Sequence, residues 1–453
     1  MKKYASLTEG RVASTLIRFS LPFLLAGFIQ TAYASVDVYF VSHYAGAASV
    51  TGTFQGAMVM IIVAGIFMGL ASGGTVLLGQ YVGAKLDRDA ARALGNIISV
   101  SVVSAAVICA VLLTFGRAIF SLINVPPEAM GEAWNYLSIC TAGVVFTMGY
   151  NLISSVLRSL GDSKAPFVFI LISCLTNVAL DYVFVVVMGR GAGGAALATI
   201  LAQALSCVLS LLYIRRKGLP FRFAFGDLRP ERAMLLRIFK LGLPISAQGT
   251  LNNFSFLIIS SITNSMGVNV AAATSVVNNL ANLCMTIPMS FGSAVSAISA
   301  QNIGAGKPER AVRSMWIGVV ISLGIAAICC AIANIWPKSV VRILTTDPGV
   351  VEESVRYLYP FAWDCLLVAF IFCMNGFFNG CGKTFFAMMH ETSVAFFVRI
   401  PVTYVVKNYV SSATLFHIGV ATPAASLVSL AACLIYYRLK FSGERLKKIG
   451  IVQ

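Results

Sequence analysis

The amino-acid sequence predicts an all-α polytopic membrane protein, in which twelve transmembrane helices form two parallel six-helix repeats, an N-lobe and a C-lobe, around a central cavity. Of its 453 residues, 58% are hydrophobic and only 11% are charged, whereas about 25% of a soluble chain is charged. Apolar runs of roughly 20 residues, each long enough to cross about 30 Å of hydrocarbon, recur along the chain. In addition, the second half of the sequence repeats the first.

The predicted helices are separated by short polar loops. In chain order they cover residues 16–41, 50–78, 94–115, 134–157, 166–188, 194–214, 238–262, 269–297, 315–336, 355–379, 384–409 and 414–437. A cleaved signal peptide is not expected, because the first apolar run is too long and lacks a small-residue cleavage site. The eleven cysteines show no metal-ligand or disulfide spacing, and we interpret them as small hydrophobic residues.

The net charge of +16 is explained by membrane topology. With the N-terminus in the cytoplasm, most Lys and Arg residues fall on the inner side, including the run from Arg215 to Lys240. This positive-inside bias predicts a multi-pass protein of the plasma (inner) membrane with both termini in the cytoplasm. We expect contact with membrane lipid, no nucleic-acid partner and a monomer.

The internal repeat is clearest after the second predicted helix. At an offset near 221 residues, GQYVGAKLDRDAARA (79–93) aligns with AQNIGAGKPERAVRS (300–314). Six spans are an even number, so the two copies enter the membrane from the same face and are parallel repeats. The predicted domains are an N-lobe over 1–214, a cytoplasmic linker over 215–237 and a C-lobe over 238–453.

Two acids lie deep within apolar helices of the first repeat. Asp37 is near the outer end of the first predicted helix, and Asp181 follows Asn177 by one turn in the fifth. A carboxylate in the bilayer core costs about 3 kcal/mol or more, which suggests a functional use. Thr199 in the sixth helix falls at a similar depth. At the matching positions the second repeat has the apolar residues Ile258 or Ile259, Val398, Val402 and Leu427.

These four side chains form an all-oxygen ligand set. Such a set suits a hard cation such as Na⁺. Two neighbouring carboxylates would also raise each other's proton affinity, so proton binding is the alternative. A third interpretation is a neutral polar cluster that only fixes helix packing.

The order and spacing of several motifs resemble those of the multidrug and toxic compound extrusion (MATE) transporters. The motifs are Pro22, Gln30 and Asp37 in the first helix, GQYVGA, LRSLGDSKAP, NVALDYVF, GAGGAALAT and FFNGCGK. They cover almost the whole chain. The nearest resemblance is to the branch whose coupling site lies in the N-lobe.

The resemblance implies roles for particular residues. The cation or proton site comprises Asp37, Asn177, Asp181 and Thr199, with the backbone carbonyl of Ala195 as a further ligand. Polar residues of the substrate cavity are Gln30, Tyr33, Tyr136 and Asn151. Pro22 removes a backbone hydrogen bond and is a candidate for a bend in the first helix that accompanies export. A static kink is the alternative.

The charged residues of the C-lobe have plainer interpretations. Other MATE branches carry an acid in helix 7 or helix 10 of the C-lobe, but here helix 7 has none. Asp364 lies about a turn earlier than expected in helix 10, and we interpret it as solvated near the outer mouth. Glu391, Arg399 and Lys407 could form internal pairs or line the cavity, but we favour packing or snorkelling.

The leading functional hypothesis is an efflux antiporter, not an enzyme, which needs no cofactor beyond its coupling ion. It would export amphiphilic, cationic organic compounds in exchange for Na⁺ or H⁺ by alternating access. The alternative is a flippase for lipid-linked oligosaccharide or lipid, although a pyrophosphate would call for basic residues in the cavity. A membrane-embedded transferase is disfavoured because the loops are too short to carry a catalytic site.

Overall fold

The computed structural model describes residues 4–410 and 414–450, apart from the side chains of residues 32–35 and 447. The side chain of Tyr33, a predicted cavity residue, therefore lies outside the described residues. Within the described ranges the chain is almost entirely helical and contains no β-strand. The predicted all-α fold class is confirmed.

The chain divides into two compact units. The first unit comprises residues 4–6 and Leu21–Ser246, and the second comprises Leu7–Ser20 and the described residues from 247 onward. The division passes through the first helix of each repeat. In both helices a proline, Pro22 or Pro244, lies within a few residues of that point.

The helices of the first repeat correspond to the first six predicted spans. They are α1 (Val12–Tyr44), α2 (Ala47–Gly83), α3 (Asp87–Leu122), α4 (Pro127–Ala142), α5 (Val144–Ser159), α6 (Lys164–Asp181) and α7 (Gly191–Lys217). A π-helical segment, Tyr182–Val187, continues α6. The predicted fourth span is divided between α4 and α5, which meet at a bend of 52°.

The helices of the second repeat follow a short 3-10 helix, Phe225–Leu228. They are α8 (Arg232–Asn264), α9 (Val268–Gly304), α10 (Pro308–Ile335), α11 (Pro337–Arg342), α12 (Pro348–Gly380), α13 (Thr384–Val394), α14 (Ile400–Tyr409), α15 (Leu415–Gly419), α16 (Ala421–Phe441) and α17 (Glu444–Lys447). A π-helical segment, Ala395–Arg399, joins α13 to α14. This joined helix corresponds to the predicted span 384–409.

Among the described residues, nine helices are long and apolar enough to cross a membrane, and the bent pair of α4 and α5 counts as a tenth. The two other predicted spans, 238–262 and 384–409, are helical but do not reach this level of apolarity. Polar residues explain both cases: α8 carries the stretch QGTLNN, and the joined α13 and α14 carry three charged side chains.

The linker region packs on α3 within the first unit. Ser99 Oγ donates to the carbonyl oxygen of Leu228 at 2.7 Å, and the backbone N–H of Glu231 donates to Asn96 Oδ1 at 2.8 Å. Gly95 permits this approach, since a Cβ there would lie 1.9 Å from the carbonyl oxygen of Asp227. The end of the predicted linker is therefore held against the first unit.

The loop before α6 is anchored to the end of α7 by polar contacts. The carboxylate of Asp162 accepts hydrogen bonds from Lys217 Nζ at 2.5 Å, Tyr213 Oη at 2.7 Å and the backbone N–H of Ala165 at 3.1 Å. Burial disfavours the ionised form, but these donors outweigh it and hold the pKa of Asp162 below its ordinary value of 3.8. This group fixes α6 and α7, the two helices that carry most of the predicted site.

Candidate functional site

The predicted coupling residues meet inside the first unit. α1 supplies Asp37, α6 supplies Asn177 and Asp181, and α7 supplies Thr199. The side chain of Asp37 interacts with those of the other three residues. Asn177 and Asp181 are completely buried, and both lie on one face of α6 because they are four residues apart.

Five buried polar atoms of this cluster have no hydrogen-bond partner of normal geometry. They are Asp37 Oδ1, both side-chain polar atoms of Asn177 and both carboxylate oxygens of Asp181. The interactions of Asp37 with Asn177 and Asp181 thus fall outside regular hydrogen-bond geometry. An unsatisfied buried polar group costs about 1–3 kcal/mol, so this arrangement is suited to a bound cation or proton that satisfies the oxygens.

The chain around the site departs from regular α-helix directly after Asp181. The π-helical segment Tyr182–Val187 ends with the backbone N–H of Met188 donating to the carbonyl of Val183. π-Helical turns are frequent at functional sites. This segment approaches α7 closely, since a Cβ on Gly194 would lie 3.0 Å from the carbonyl oxygen of Phe184. A larger residue at Gly194 would therefore crowd this contact, one residue before Ala195 and five before Thr199.

The start of α7 is fixed by an acidic residue from α4. Glu132 Oε2 accepts a hydrogen bond from the backbone N–H of Ala192 at 3.2 Å. A carboxylate at this end of the helix satisfies a free N–H group and complements the helix dipole. The contact sets the axial position of α7, and with it the depth of Thr199.

The other predicted residues differ in their surroundings. Ala195 is 1% exposed and lies in the same buried cluster as Tyr136, which the prediction placed near the acids. Asn151 donates its amide to the carbonyl of Thr147 in its own helix at 2.9 Å, and Gln30 is exposed. The structure therefore brings Tyr136 and Ala195 together, whereas Asn151 has a local partner.

An apolar cavity in the first unit is lined in part by residues that follow Asp37 in α1. It has a volume of about 230 Å³. Its lining residues are Val38, Val41, Val50, Thr51, Thr53 and Phe54. Val38 and Val41 follow Asp37 by one and four residues, so one apolar wall of this cavity is continuous with the acidic position.

The second unit contains a buried polar network that the sequence analysis missed. Glu391 Oε2 accepts a hydrogen bond from Gln248 Nε2 at 2.6 Å, and Oε1 accepts one from Asn375 Nδ2. Asn375 Oδ1 contacts His390 Nε2 at 2.8 Å, and His390 Nδ1 contacts Ser429 Oγ at 3.0 Å. Because Asn375 Oδ1 can only accept, Nε2 of His390 carries the proton and Nδ1 accepts from the serine.

One expectation for the second unit was wrong. Asp364 is 1% exposed, so it is not solvated as predicted. Glu391 is held by two carboxamides, as described above, which agrees with packing and not with snorkelling. Sequence alone offered a weak signal in the neighbouring pair His390 and Glu391, whose partners are 15 and 16 residues away or farther.

Comparison with known proteins agrees with the duplicated architecture. The family model described as MatE matches residues 22–183 and again 244–405. "Probable multidrug resistance protein YpnP" of Bacillus subtilis is 27% identical over 446 residues, which cover 97% of each chain. "Probable multidrug resistance protein NorM" of Thermotoga maritima is 25% identical, with 88% of this chain and 86% of the relative covered.

Solved structures share the fold at low sequence identity. An outward-facing multidrug resistance MATE family transporter of the MOP superfamily superposes with a TM-score of 0.91 at 18% identity, covering 99% of this chain and all of that one. MATE crystal structures in a bent and in a straight conformation both give a TM-score of 0.92 at 19% identity, with 98% of this chain covered. At least 99% of those two chains is covered as well.

The ends of the two matched ranges are related by a slightly different offset from that of the motifs. The second range begins at 244, 222 residues after 22, and ends at 405, 222 residues after 183. An offset of 222 also aligns Tyr182 and Val183 with identical residues at 404 and 405. The π-helical segment Ala395–Arg399 accommodates the extra residue. At an offset of 222 the counterparts of Asn177 and Asp181 are Arg399 and Thr403, whereas at 221 they are Val398 and Val402.

Proposed function

This chain belongs to the MatE family, and we propose that it is a secondary active multidrug efflux antiporter that exchanges organic cations for Na⁺ or H⁺. As a member of this family it is an integral membrane transporter and not an enzyme. The proposed substrates are amphiphilic compounds with a cationic group. Relatives named as multidrug resistance and multidrug export proteins support this substrate class.

The observation that carries the proposal is the set of unsatisfied oxygens at Asp37, Asn177 and Asp181. A Na⁺ ion would be held by these oxygens together with the hydroxyl of Thr199 and the carbonyl of Ala195. A proton shared between the two carboxylates would relieve the same electrostatic cost. Either ion stabilises the site, which is how its gradient can drive a conformational change.

Competition between ion and drug explains exchange. Val38 and Val41, which follow Asp37 in α1, line an apolar cavity, so an amphiphilic cation can place its charge near the carboxylates and its apolar part against these valines. Ion and drug then disfavour each other's binding, as coupled antiport requires. We propose that Tyr136, Gln30, Tyr33 and Asn151 contribute to drug binding.

Pro22 is the proposed site at which α1 bends during export. Proline removes one hydrogen bond from a helix and weakens it at that point. The similarity of this chain to MATE structures in both bent and straight conformations supports the proposal. Substitution of Pro22 by Ala should then slow efflux without abolishing cation binding to Asp37 and Asp181.

The proposal includes the arrangement in the membrane. We place both termini on the cytoplasmic side of the plasma (inner) membrane, with an N-lobe over 1–214 and a C-lobe over 238–453. The linker over 215–237 is cytoplasmic, and one chain is the transporting unit. The distribution of Lys and Arg residues between alternate loops supports this orientation.

The test is efflux of ethidium, a permanent cation, from vesicles that contain the purified protein. A Na⁺ gradient and a pH gradient are imposed separately, so that the driving ion is identified directly. Efflux should follow at least one gradient, and Asp37→Asn should abolish it. Asp87→Asn is the matched control, because this exposed acid lies in the first turn of α3.

Gradient-independent ethidium movement, or full coupled efflux by Asp37→Asn, would contradict the proposal. Movement of a fluorescent lipid-linked sugar between leaflets, without ethidium efflux, would instead support the flippase alternative. Both substrates can be measured in the same vesicle preparation. The two functions are therefore separated by a single set of samples.

A further inference from the structure

An open cavity of about 790 Å³ lies at one end of the second unit, where α9 ends and α10 begins. Its charged lining residues are Lys307, Glu309, Arg310 and Arg313, and the rest of the lining is apolar or glycine. Both helices are long and apolar enough to cross a membrane, so the connection between them lies at a membrane surface. The cavity is thus level with the headgroups of the surrounding lipids.

The charged part of the lining favours an anion. Three basic side chains and one acidic side chain give the cavity a net charge of +2. Lys307 and Arg313 are exposed, whereas Arg310 is half-buried. A concave surface with an excess of one charge attracts ligands of the opposite charge. The N-terminal end of α10 adds to this preference, because the helix dipole also favours a negative group there.

Arg310 fixes the chain that precedes α1 against this cavity. Its Nη1 donates to the carbonyl of Gly10 at 2.7 Å, and its Nη2 donates to the carbonyl of Glu9 at 2.6 Å. These residues belong to the second unit, as does Val12, which contributes to the cavity lining. The hydrogen bonds of Arg310 are thus made within the protein, and we assign it a positioning role.

Lys307 and Arg313 retain donors for a ligand. Lys307 Nζ donates to the carbonyl of Thr8 at 3.1 Å, but an ammonium group has three protons to donate. Within the described part of the chain, no carboxylate lies within 4.0 Å of the guanidinium nitrogens of Arg313. The planar fork of a guanidinium matches the geometry of a phosphate group. The two side chains can therefore hold one phosphate group from two sides.

The corresponding connection in the first repeat is different. At the offset of 221 residues, Asp89 takes the position of Arg310, and Arg92 matches Arg313. Arg92 Nη1 lies 3.8 Å from Glu231 Oε2, so this arginine has an acidic neighbour. The positive-inside bias accounts for basic residues at this level of the membrane but not for their convergence on one cavity. The basic cavity is therefore a feature of the second unit that neither the repeat nor the topology explains.

We propose that this cavity is a binding site for a phosphate group, with Lys307 and Arg313 as its ligands. Its level in the membrane makes a phospholipid headgroup one source of the phosphate, and inorganic phosphate is the other. This inference goes beyond the proposed transport function, because binding here needs neither an ion gradient nor a drug. A failure of drug efflux would leave it intact, and the reverse also holds.

The test compares dioleoyl phosphatidic acid with dioleoylglycerol, which has the same acyl chains but lacks the phosphate. Lipid bound to the detergent-purified full-length protein is counted by mass spectrometry of the intact complex over a range of lipid concentrations. The wild-type protein should bind phosphatidic acid at least about tenfold more tightly than dioleoylglycerol. Arg313→Gln should remove most of this preference, because charge-assisted hydrogen bonds to the phosphate are lost.

Arg88→Gln is the matched control, since Arg88 is an exposed arginine in the first turn of α3, after the equivalent connection of the first repeat. It should leave the preference for phosphatidic acid unchanged. An equal loss in both variants would mean that surface charge alone attracts the lipid, and it would overturn the proposal. Equal binding of the two lipids by the wild type would overturn it as well. Lys307→Gln serves as the second variant if Arg313→Gln does not fold.

Inorganic phosphate distinguishes the two sources of the phosphate group. It is added to the wild-type complex with phosphatidic acid, and the fraction of protein that retains the lipid is measured. Displacement by millimolar phosphate would assign the site to free phosphate, whereas retention of the lipid would assign it to a headgroup. Both results require the phosphate preference and its dependence on Arg313, so a lack of either still overturns the proposal.

Discussion

Each unit contains a buried polar cluster between related helices, and the two clusters satisfy their polar atoms to opposite degrees. In the first unit, Asp37, Asn177 and Asp181 are brought together with five polar atoms left without regular partners. In the second, the carboxylate of Glu391 has a hydrogen-bond donor at each oxygen, and Asn375 connects it to His390. The first arrangement is suited to binding a ligand, whereas the second is suited to holding helices together.

This contrast shows how a duplicated fold can separate function from stability. A buried oxygen without a partner costs stability, and a charge-assisted hydrogen bond contributes it. We therefore expect substitutions in the first unit to affect transport more than folding. Substitutions at comparable depth in the second unit should affect folding more than ion coupling.

The largest effect is expected for Asp181→Asn. Gradient-driven drug efflux should fall to the background rate, because the cluster loses one of its two carboxylates. Thermal stability, measured on the detergent-purified protein by size-exclusion chromatography after heating, should be unchanged or higher because two facing acids no longer repel each other. A destabilised protein with normal efflux per folded molecule would contradict the expectation that substitutions in the first unit affect transport more than folding.

The next largest effect is expected for Gly376→Ser, at a close approach of α9 and α12 in the second unit. A Cβ added to Gly376 on α12 would lie 2.1 Å from the carbonyl oxygen of Gly292 on α9, so the backbones would have to separate. The equivalent position of the first repeat is Ser155. Gly376→Ser should lower the free energy of unfolding by about 1–3 kcal/mol or prevent folding.

Gly324→Ser is the control for this substitution. Gly324 also lies within a helix of the second unit, α10, but no atom approaches the position of an added Cβ within 4 Å. Its thermal stability should stay close to that of the wild-type protein. Equal stabilities of the Gly376 and Gly324 variants would mean that α9 and α12 do not need this close contact.

Glu391→Gln is expected to have a smaller effect on stability. The charge is lost, and the new NH₂ group faces one of the two carboxamide donors, so one hydrogen bond must be rearranged. The expected loss is about 1–2 kcal/mol. The control is Glu352→Gln on α12, because the Glu352 side chain is 70% exposed and its pair with Arg356 is worth little.

Thermal stability of both Glu variants should be measured beside ethidium efflux. A normal coupling ratio in Glu391→Gln would agree with a structural role of the network. Loss of ion coupling with unchanged stability would contradict the division of roles between the two units. It would also indicate that the second unit contributes a titrating group to transport.

The smallest effect concerns Asp162, outside the membrane-spanning segments. Its pKa is lowered below 3.8, so the anchor to Lys217 and Tyr213 contributes its full stability above that pH. The contribution is lost as the pH falls further, through the pKa of the folded protein. The melting temperature of the wild type should therefore approach that of Asp162→Asn between pH 4 and pH 2. A constant difference in this range would contradict the lowered pKa.

Most of the fold was predictable because hydrophobic runs of membrane length are an unambiguous signal. The helix ends were not predictable, because hydropathy detects only the apolar part of a helix. For example, the helix predicted over 94–115 extends over Asp87–Leu122 in the structure. The bend between α4 and α5 was also missed. It lies at Gly143, where a Cβ would be 2.2 Å from Ile200 Cγ2, and is thus set by packing against α7.

The candidate coupling site was predictable because an acid in a lipid-exposed length of helix is conspicuous. The network around Glu391 was not, because Gln248 is 143 residues away from it and no spacing rule connects them. Asp364 was misjudged for a related reason. The position of Asp364 in its helix predicted solvent exposure near the outer mouth of the cavity. Burial, however, depends on neighbouring side chains that the sequence does not identify.

The π-helical segment Ala395–Arg399 has a consequence for how such proteins diverge. One added residue is absorbed as a local widening of the helix, while the residues on either side stay helical. Insertion of a single codon can therefore rotate one half of a span relative to the other and bring a different set of side chains to the same location. After gene duplication, a copy can change the chemistry at an inherited position in one step, without waiting for each residue to mutate.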